Sequence, residues 1–263
     1  MRASLVVPTL NEAESVGHVL RTFRQAADEA NTTLFRTQPV EWEMLVVDGA
    51  STDGTAAIAE AAGARVLVEP RKGYGRAYKT GFAAARGEVL ATADGDATYP
   101  VETIPALVHR LLEERIDFLT GNRMAFIDRR AMTTEHRIGN RVLNLFLGVA
   151  FHRYLKEMTG GPLVDSQSGF WVFRREILDR VHLEQNGMAF SEELKIEAIL
   201  RGLRVVEVPI RYGERWGRPK LSSWRDGYHN LIFLAEKRLA VAREPVLGEP
   251  IPFAHGPDAV PPR

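Results

Sequence analysis

Asp94-Gly95-Asp96 follows the apolar run Val89 to Ala93, so two carboxylates emerge together where a strand would end. Hard oxygen ligands of this kind suit Mg²⁺ or Mn²⁺, which keep several waters and share their remaining coordination with phosphates. The glycine between them lets backbone approach a ligand. An Asp-Gly turn leading from strand to helix is the other reading of the same three residues. A second cluster is cationic. Gly121-Asn122-Arg123 closes the run Asp117 to Thr120, and Arg137 and Arg141 stand four apart on one face of a following helix. Like charges at that spacing repel unless an anion sits with them. Arg123, Arg137 and Arg141 therefore form either a phosphate clamp, in which planar guanidinium groups meet phosphate oxygens bidentately, or a solvated basic face.

Other segments carry weaker chemistry. Arg71-Lys72-Gly73-Tyr74-Gly75-Arg76 places cations and glycines before a helix, where the helix N-terminus favours a phosphate. No G-x-x-x-x-G-K-[ST] string occurs, so Lys72 does not belong to a Walker loop. Asp48, after the run Met44 to Val47, is suited to accept hydrogen bonds from a base or ribose hydroxyl, or else to cap a helix or anchor a turn. Asp165 is either a general base for an acceptor hydroxyl or a buried anchor for the backbone of 167–169. A phosphate acceptor, with a second pKa near ~6, would be largely ionised at neutral pH and need no strong base, whereas a hydroxyl acceptor would need one, so the two readings of Asp165 go with different acceptors. Glu192 and Glu193 open a helix after Ser191, where acids suit the helix dipole whatever else they do.

The elements that position these residues alternate. Ala3 to Val7 reads as a strand ended by Pro8; Asn11-Glu12 opens an amphipathic helix carrying Val16, Val19, Leu20 and Phe23. Met44 to Val47, Arg65 to Val68, Glu88 to Ala93 and Asp117 to Thr120 are further strands. Helices fall between them, capped by Thr52 or Asp53 and running to about Ala62, from Tyr74 to Arg86, and after Pro100. The pattern predicts an α/β fold with an open, mainly parallel sheet flanked by helices. Ligands of such sheets bind beyond the carboxyl ends of the strands, where Pro8 to Glu12, Asp48 to Asp53 and Asp94 to Asp96 converge. The second half is less regular, with helices from Glu135 to about Tyr154, Glu192 to Arg201 and Trp224 to Ala242, and a strand from Arg204 to Val208; it reads as the acceptor side. One domain is expected over 1–243, divided at 121/122, with a Pro-rich, disordered tail over 244–263.

Three motifs in chain order carry a family resemblance: Val6-Val7-Pro8-Thr9-Leu10-Asn11-Glu12, Val46-Val47-Asp48-Gly49-Ala50-Ser51-Thr52-Asp53-Gly54-Thr55, and Asp94-Gly95-Asp96. Together they resemble the family 2 glycosyltransferases of GT-A fold, with a Rossmann-like nucleotide-binding half. Within that family the chain is most similar to the polyprenol-phosphate (dolichyl-phosphate) hexose synthases, over about Ser4 to Leu234. The resemblance implies an enzyme in which Pro8, Leu10, Glu12, Val47 and Asp48 surround the base and ribose of a UDP- or GDP-sugar, with Asp94, Gly95 and Asp96 at Mg²⁺ or Mn²⁺ and the diphosphate. Arg123 matches the G-S-R motif, with Asn122 in place of Ser, and implies an acceptor-phosphate site shared with Arg137 and Arg141. Arg215 and Lys220, in Arg215-Trp216-Gly217-Arg218-Pro219-Lys220-Leu221, match cations of an R-x-G-x-S-K-L loop that closes over the diphosphate, although Pro219 replaces the usual Ser and stiffens it. Asp165-Ser166-Gln167-Ser168-Gly169-Phe170 resembles the D-T-Q-S-G-F signature of the same subfamily. Direct displacement with inversion would then deliver a hexose to a lipid phosphate.

The composition fits these expectations. Of 263 residues, 34 are basic and 34 acidic, so no global field draws in nucleic acid and any anion site must be built locally. The absence of cysteine excludes a thiolate nucleophile and Cys-ligated zinc, and suits a reducing, cytoplasmic setting. No run reaches the roughly 18 to 20 apolar residues of a membrane span, so contact with a membrane would be peripheral, on its cytoplasmic face. The face Val142, Leu145, Phe146 and Val149 either meets that membrane or packs in the core. A homo-oligomer or a membrane partner stays open. The alternatives are the same donor chemistry with a soluble or polysaccharide hydroxyl acceptor and, from another class, a non-catalytic nucleotide-sugar-binding regulator.

Overall fold

The computed structural model describes residues 1–127, 134–159, 163–217 and 223–243. Seven strands, β1 (Arg2–Thr9), β2 (Glu41–Asp48), β3 (Arg65–Val68), β4 (Val89–Thr92), β5 (Phe118–Ile127), β6 (Trp171–Arg174) and β7 (Val205–Tyr212), form one sheet in the order β3-β2-β1-β4-β6-β5-β7. All pairings are parallel except those of β6, which runs antiparallel to both β4 and β5. The helices are α1 (Val16–Thr33), α2 (Thr55–Ala61), α3 (Tyr74–Ala84), α4 (Ile104–Glu113), α5 (Thr134–Ala150), α6 (His152–Thr159), α7 (Phe190–Leu200) and α8 (Ser223–Arg243).

Strands covered on both faces must be apolar at nearly every position, as Leu5-Val6-Val7 and Met44-Leu45-Val46-Val47 are. Successive side chains divide between two cores. Val6 and Val47 face Tyr78 and Phe82 of α3, whereas Leu5, Val7 and Val46 lie in the core of Val16, Leu20 and Phe23 of α1. Trp171 of β6 is fully buried and packs on Tyr78 at a ring separation of 5.0 Å.

The expected alternation holds, with four departures. One is β6 itself, a strand at Trp171–Arg174 that the sequence pattern does not announce. Because β6 is antiparallel, its N-terminal end reaches the rim at which β4 and β5 finish, and this brings the 163–170 segment to the site. Next, β5 continues past Thr120 to Ile127, with an irregularity between Asn122 and Phe126, so Arg123 sits within a strand. Finally, α1 begins at Val16, after a turn in which Asn11 is left-handed at φ 51°, and the helix expected to continue to Tyr154 is two helices, broken at Phe151. The 244–263 tail, Pro219 and Lys220 lie outside the described residues, as does the side chain of Arg137.

Candidate active site

Six segments meet on the carboxyl rim of the sheet: those following β1, β2, β4 and β7, the outer part of β5, and the loop leading into β6. Hydrogen bonds knit them together. Asn11 N–H donates to Ser51 Oγ (2.8 Å), Thr52 N–H to Asn11 Oδ1 (2.8 Å) and Glu12 N–H to Thr55 Oγ1 (2.8 Å). Ser15 Oγ donates to the Gly95 carbonyl (2.6 Å), which ties α1 to the Asp94–Asp96 turn. Ala50 and Ala97 have φ near +60° in two of these loops. An alanine pays about 1–2 kcal/mol there, so the surrounding bonds overdetermine the backbone.

Asp94 and Asp96 emerge side by side from β4. Asp96 is buried; its Oδ1 accepts from Thr98 N–H (3.1 Å) and Thr98 Oγ1 (2.7 Å), and its Oδ2 from Arg215 Nη1 (2.8 Å). The other arm of Arg215 reaches Glu12, so one guanidinium spans both acids. Its loop is fastened by Trp216 N–H on the Asp96 carbonyl (3.1 Å), Gly213 N–H on the Thr98 carbonyl (2.9 Å) and a stack of Trp216 on His18 at 4.8 Å. Asp94 Oδ1 accepts from Tyr74 Oη at 3.3 Å. Burial, and then the charge of Asp96, push the Asp94 carboxyl up to about 7 against the opposing pull of Arg215 and Arg123. Two carboxylates whose repulsion is only partly neutralised fit a divalent cation. Among the described residues no third acid, histidine or cysteine completes a cage, which suits an ion that takes its remaining ligands from water and phosphate.

Arg123 and Asp165 form the second focus. Asp165 is fully buried and accepts from Arg123 Nε (2.7 Å), Nη2 (2.7 Å) and backbone N–H (2.9 Å). Burial raises its pKa, but the charge and bonds of Arg123 outweigh this and hold it below the usual carboxylate value. With both oxygens occupied and no exposure, Asp165 is placed as an anchor. Arg123 lies over the Tyr212 ring at 5.3 Å and stays charged. Behind this pair, fully buried Lys195 donates to the carbonyls of Asp165 (2.9 Å) and Ser166 (2.8 Å), while Glu207 Oε1 accepts from Asp165 N–H (2.8 Å).

Several expected contacts fall elsewhere. Val47 does not surround a base, because strand alternation turns it into the core beneath α3. The Asp48 carboxylate is used within the protein, accepting from Thr9 Oγ1 (3.1 Å), Ser51 N–H (2.8 Å) and Ser51 Oγ (2.6 Å); the turn-anchor alternative is what the structure displays. A Cβ on Gly95 would stand 2.8 Å from Thr9 Cγ2, so the glycine answers to the close approach of the end of β1. Pro8, Leu10 and Lys72 are each at least partly exposed, whereas Glu12 is buried. Arg141 is exposed on α5, and no bond among the described residues joins it to Arg123. Tyr74, Tyr99, Lys195 and Glu207 were not singled out from sequence. Tyr99 Oη accepts from Gly169 N–H (2.9 Å) and so fixes the loop entering β6.

This geometry has clear relatives. Residues 4–181 match the profile described as Glycosyl transferase family 2. The chain belongs to that family. It is 32% identical over 224 residues to the dolichyl-phosphate hexose transferase of Haloferax volcanii, covering 85% of this chain and 88% of that protein. It is 30% identical over 233 residues to the low-salt glycan biosynthesis hexosyltransferase Agl6 of the same organism; the match covers 88% of this chain but only 52%, about half, of that relative. Among solved structures, glucosyl-3-phosphoglycerate synthase from Mycobacterium tuberculosis, in complex with Mn²⁺, UDP and glucosyl-3-phosphoglycerate, superposes with a TM-score of 0.67 at 22% identity. That alignment covers 91% of this chain and 80% of that one and supports the shared GT-A fold.

One acid in this family 2 glycosyltransferase titrates far from its usual range. Glu192 is fully buried at the start of α7; Oε1 accepts from Ser166 Oγ (3.2 Å) and from Gln167, and Oε2 has no partner among the described residues. Burial pushes it up to about 8, against Ser166, Lys195 and Gln167. Between its ordinary value of 4.5 and about 8, the folded chain holds a proton that the unfolded chain has lost. Stability from this group is therefore fully present below that window and falls as pH rises through it, by at most about 1.4 kcal/mol per pH unit. Asp94 contributes in the same sense, while Lys195, lowered to about 8 by burial, acts with opposite sign at higher pH. Urea unfolding across the window is expected to show a distinctly shallower slope for Glu192→Gln than for wild type. An unchanged slope would refute the assignment.

Proposed function

We propose that this chain is an inverting hexosyltransferase that moves a hexose from a nucleoside-diphosphate sugar to a polyprenyl phosphate, working peripherally at the cytoplasmic face of a membrane. The observation that carries the acceptor class is the Arg123–Asp165 pair. It supplies a permanently charged, immobilised guanidinium close enough to Asp94 to influence its ionisation, and it leaves no free carboxylate at Asp165 to act as base. A phosphate nucleophile needs that cation and no base, whereas a hydroxyl nucleophile needs the reverse. The name of the dolichyl-phosphate hexose transferase relative supports the same acceptor.

In this reading Asp94 and Asp96 hold Mg²⁺ or Mn²⁺, which when bound neutralises charge on the departing diphosphate. Arg215 leaves its acidic partners to bind that diphosphate, together with Lys220 and Lys72. Arg123 draws the acceptor phosphate into line with the anomeric carbon, helped by Arg137 and Arg141. Pro8, Leu10, Glu12 and Asp48 border the nucleoside. Asp165 and, behind it, Lys195 keep Arg123 and the 165–169 loop in place.

The test is Mn²⁺-dependent transfer from UDP- and GDP-linked hexoses to a short, water-soluble polyprenyl phosphate, beside a panel of hydroxyl acceptors. Inverted polyprenyl-phosphate hexose is the expected product. Transfer to hydroxyl acceptors alone would overturn the acceptor assignment, and binding without any turnover would favour the regulator.

A further inference from the structure

The described part of α5 turns an apolar row to solvent. Ile138, Val142, Leu145 and Val149 recur at helical spacing and are 56%, 53%, 70% and 74% exposed, while Leu143 and Leu147 on the opposite side are buried. Three of them belong to the face anticipated from sequence; Phe146 turns inward against the core, and Ile138 takes its place in the row. α8 packs beside α5 and adds exposed Leu231, Ile232 and Leu239. Scattered exposed leucines are ordinary, but an aligned row of half to three-quarters exposed aliphatics marks a contact surface.

The charge around this row identifies the partner. Val149 also lines a groove of about 440 Å³ between α5, α6 and α8, whose other walls include His152, Arg153, Arg238 and Val241. In sequence these three helices carry eight lysines and arginines against four acids, and of the side chains described Arg141, Arg153 and Arg238 are exposed. The chain as a whole has no net charge, so this excess is local. An apolar row bordered by arginines matches the acyl boundary and anionic headgroups of a lipid leaflet. The groove, with an aliphatic wall and cationic rim, is shaped for a headgroup phosphate with the start of its acyl chain.

We infer that the α5/α8 face lies on an anionic lipid surface, with the groove at Arg153 and Arg238 holding a phospholipid headgroup. Among the described residues no helix is long and apolar enough to cross a membrane. The inference rests on the lipid-acceptor reading for its purpose, and its experiment is separate. Sedimentation with vesicles of phosphatidylcholine, with and without phosphatidylglycerol, reports on the surface without turnover, whereas transfer to the water-soluble acceptor reports on the reaction without a membrane.

Wild type is expected to pellet with phosphatidylglycerol vesicles and to be released by salt. Leu145→Glu/Val149→Glu should weaken that binding at least about tenfold. Arg238→Glu should abolish the preference for anionic lipid, and both variants should keep transfer to the soluble acceptor. The changed side chains are exposed, so a retained circular dichroism spectrum confirms the fold. Failure of wild type to bind either vesicle, or equal binding by the variants, overturns the proposal. So does a wild-type dimer that Leu145→Glu/Val149→Glu splits into monomers, because the row would then be covered by a second copy.

Discussion

Asp165→Asn is expected to lose about 3–5 kcal/mol of stability, because it leaves the Arg123 guanidinium buried without its counter-charge. The fully buried carboxylate bonds Arg123 through Nε, Nη2 and backbone N–H, and an amide can neither neutralise nor accept through all of them. Urea unfolding measures the loss, and a change under about 1 kcal/mol would show that the pair is not the anchor described here. Loss of transfer in Asp165→Asn therefore does not identify a base, since a displaced Arg123 would abolish turnover as well. The informative partner is Arg123→Met/Asp165→Leu, which removes both charges and is expected to regain most of the stability, as apolar replacement of buried ion pairs often does. Transfer should remain at least about a hundredfold down in that refolded double variant, because the phosphate would have lost its charged donor. Recovery of transfer with stability would remove Arg123 from the acceptor site.

How far the sequence discloses this site follows from which features are local. A buried parallel strand is a short, continuous apolar run with polar residues at its carboxyl end. Pro8 to Glu12, Asp48 to Asp53 and Asp94 to Asp96 were therefore legible as one rim, and the family motifs coincide with them. Direction is not local. Phe170 to Arg174 carries no mark that it enters the sheet antiparallel, so the strand that delivers Asp165 and Gly169 to the rim went unread. Motif adjacency also misled: Val47 neighbours Asp48 in sequence, yet the pleat sends its side chain to the opposite core. Glu192-Glu193-Leu194-Lys195-Ile196-Glu197 looks like an exposed polar helix, whereas every residue of α7 is buried. Lys195 is met by the carbonyls of Asp165 and Ser166, Glu193 by the backbone N–H groups of Glu184 and Gln185, and Glu197 by Lys237, all outside the helix itself. Arg215 was legible as a cation of the diphosphate loop, but its bridge to Glu12 and Asp96 depends on where β7 ends in space.

That bridge leads to a pair of variants expected to move metal binding in opposite directions. Asp96→Asn removes one of the two carboxylates proposed to hold the ion. It should abolish Mn²⁺ binding measured by electron paramagnetic resonance and lower transfer by about a thousandfold or more, as loss of charge stabilisation at a leaving diphosphate requires. Arg215→Ala keeps both carboxylates and removes the guanidinium that neutralises Asp96 and Glu12. Arg215 is about a quarter exposed, which limits the effect, so Mn²⁺ affinity without nucleotide is expected to rise about tenfold. Transfer should nevertheless fall about a hundredfold, since the diphosphate loses a donor that matters most as its charge develops. Tighter metal with slower transfer cannot come from a merely loosened fold, which would weaken both. Parallel losses in Arg215→Ala would make Arg215 a structural tie, and undiminished Mn²⁺ binding in Asp96→Asn would move the metal away from the β4 turn.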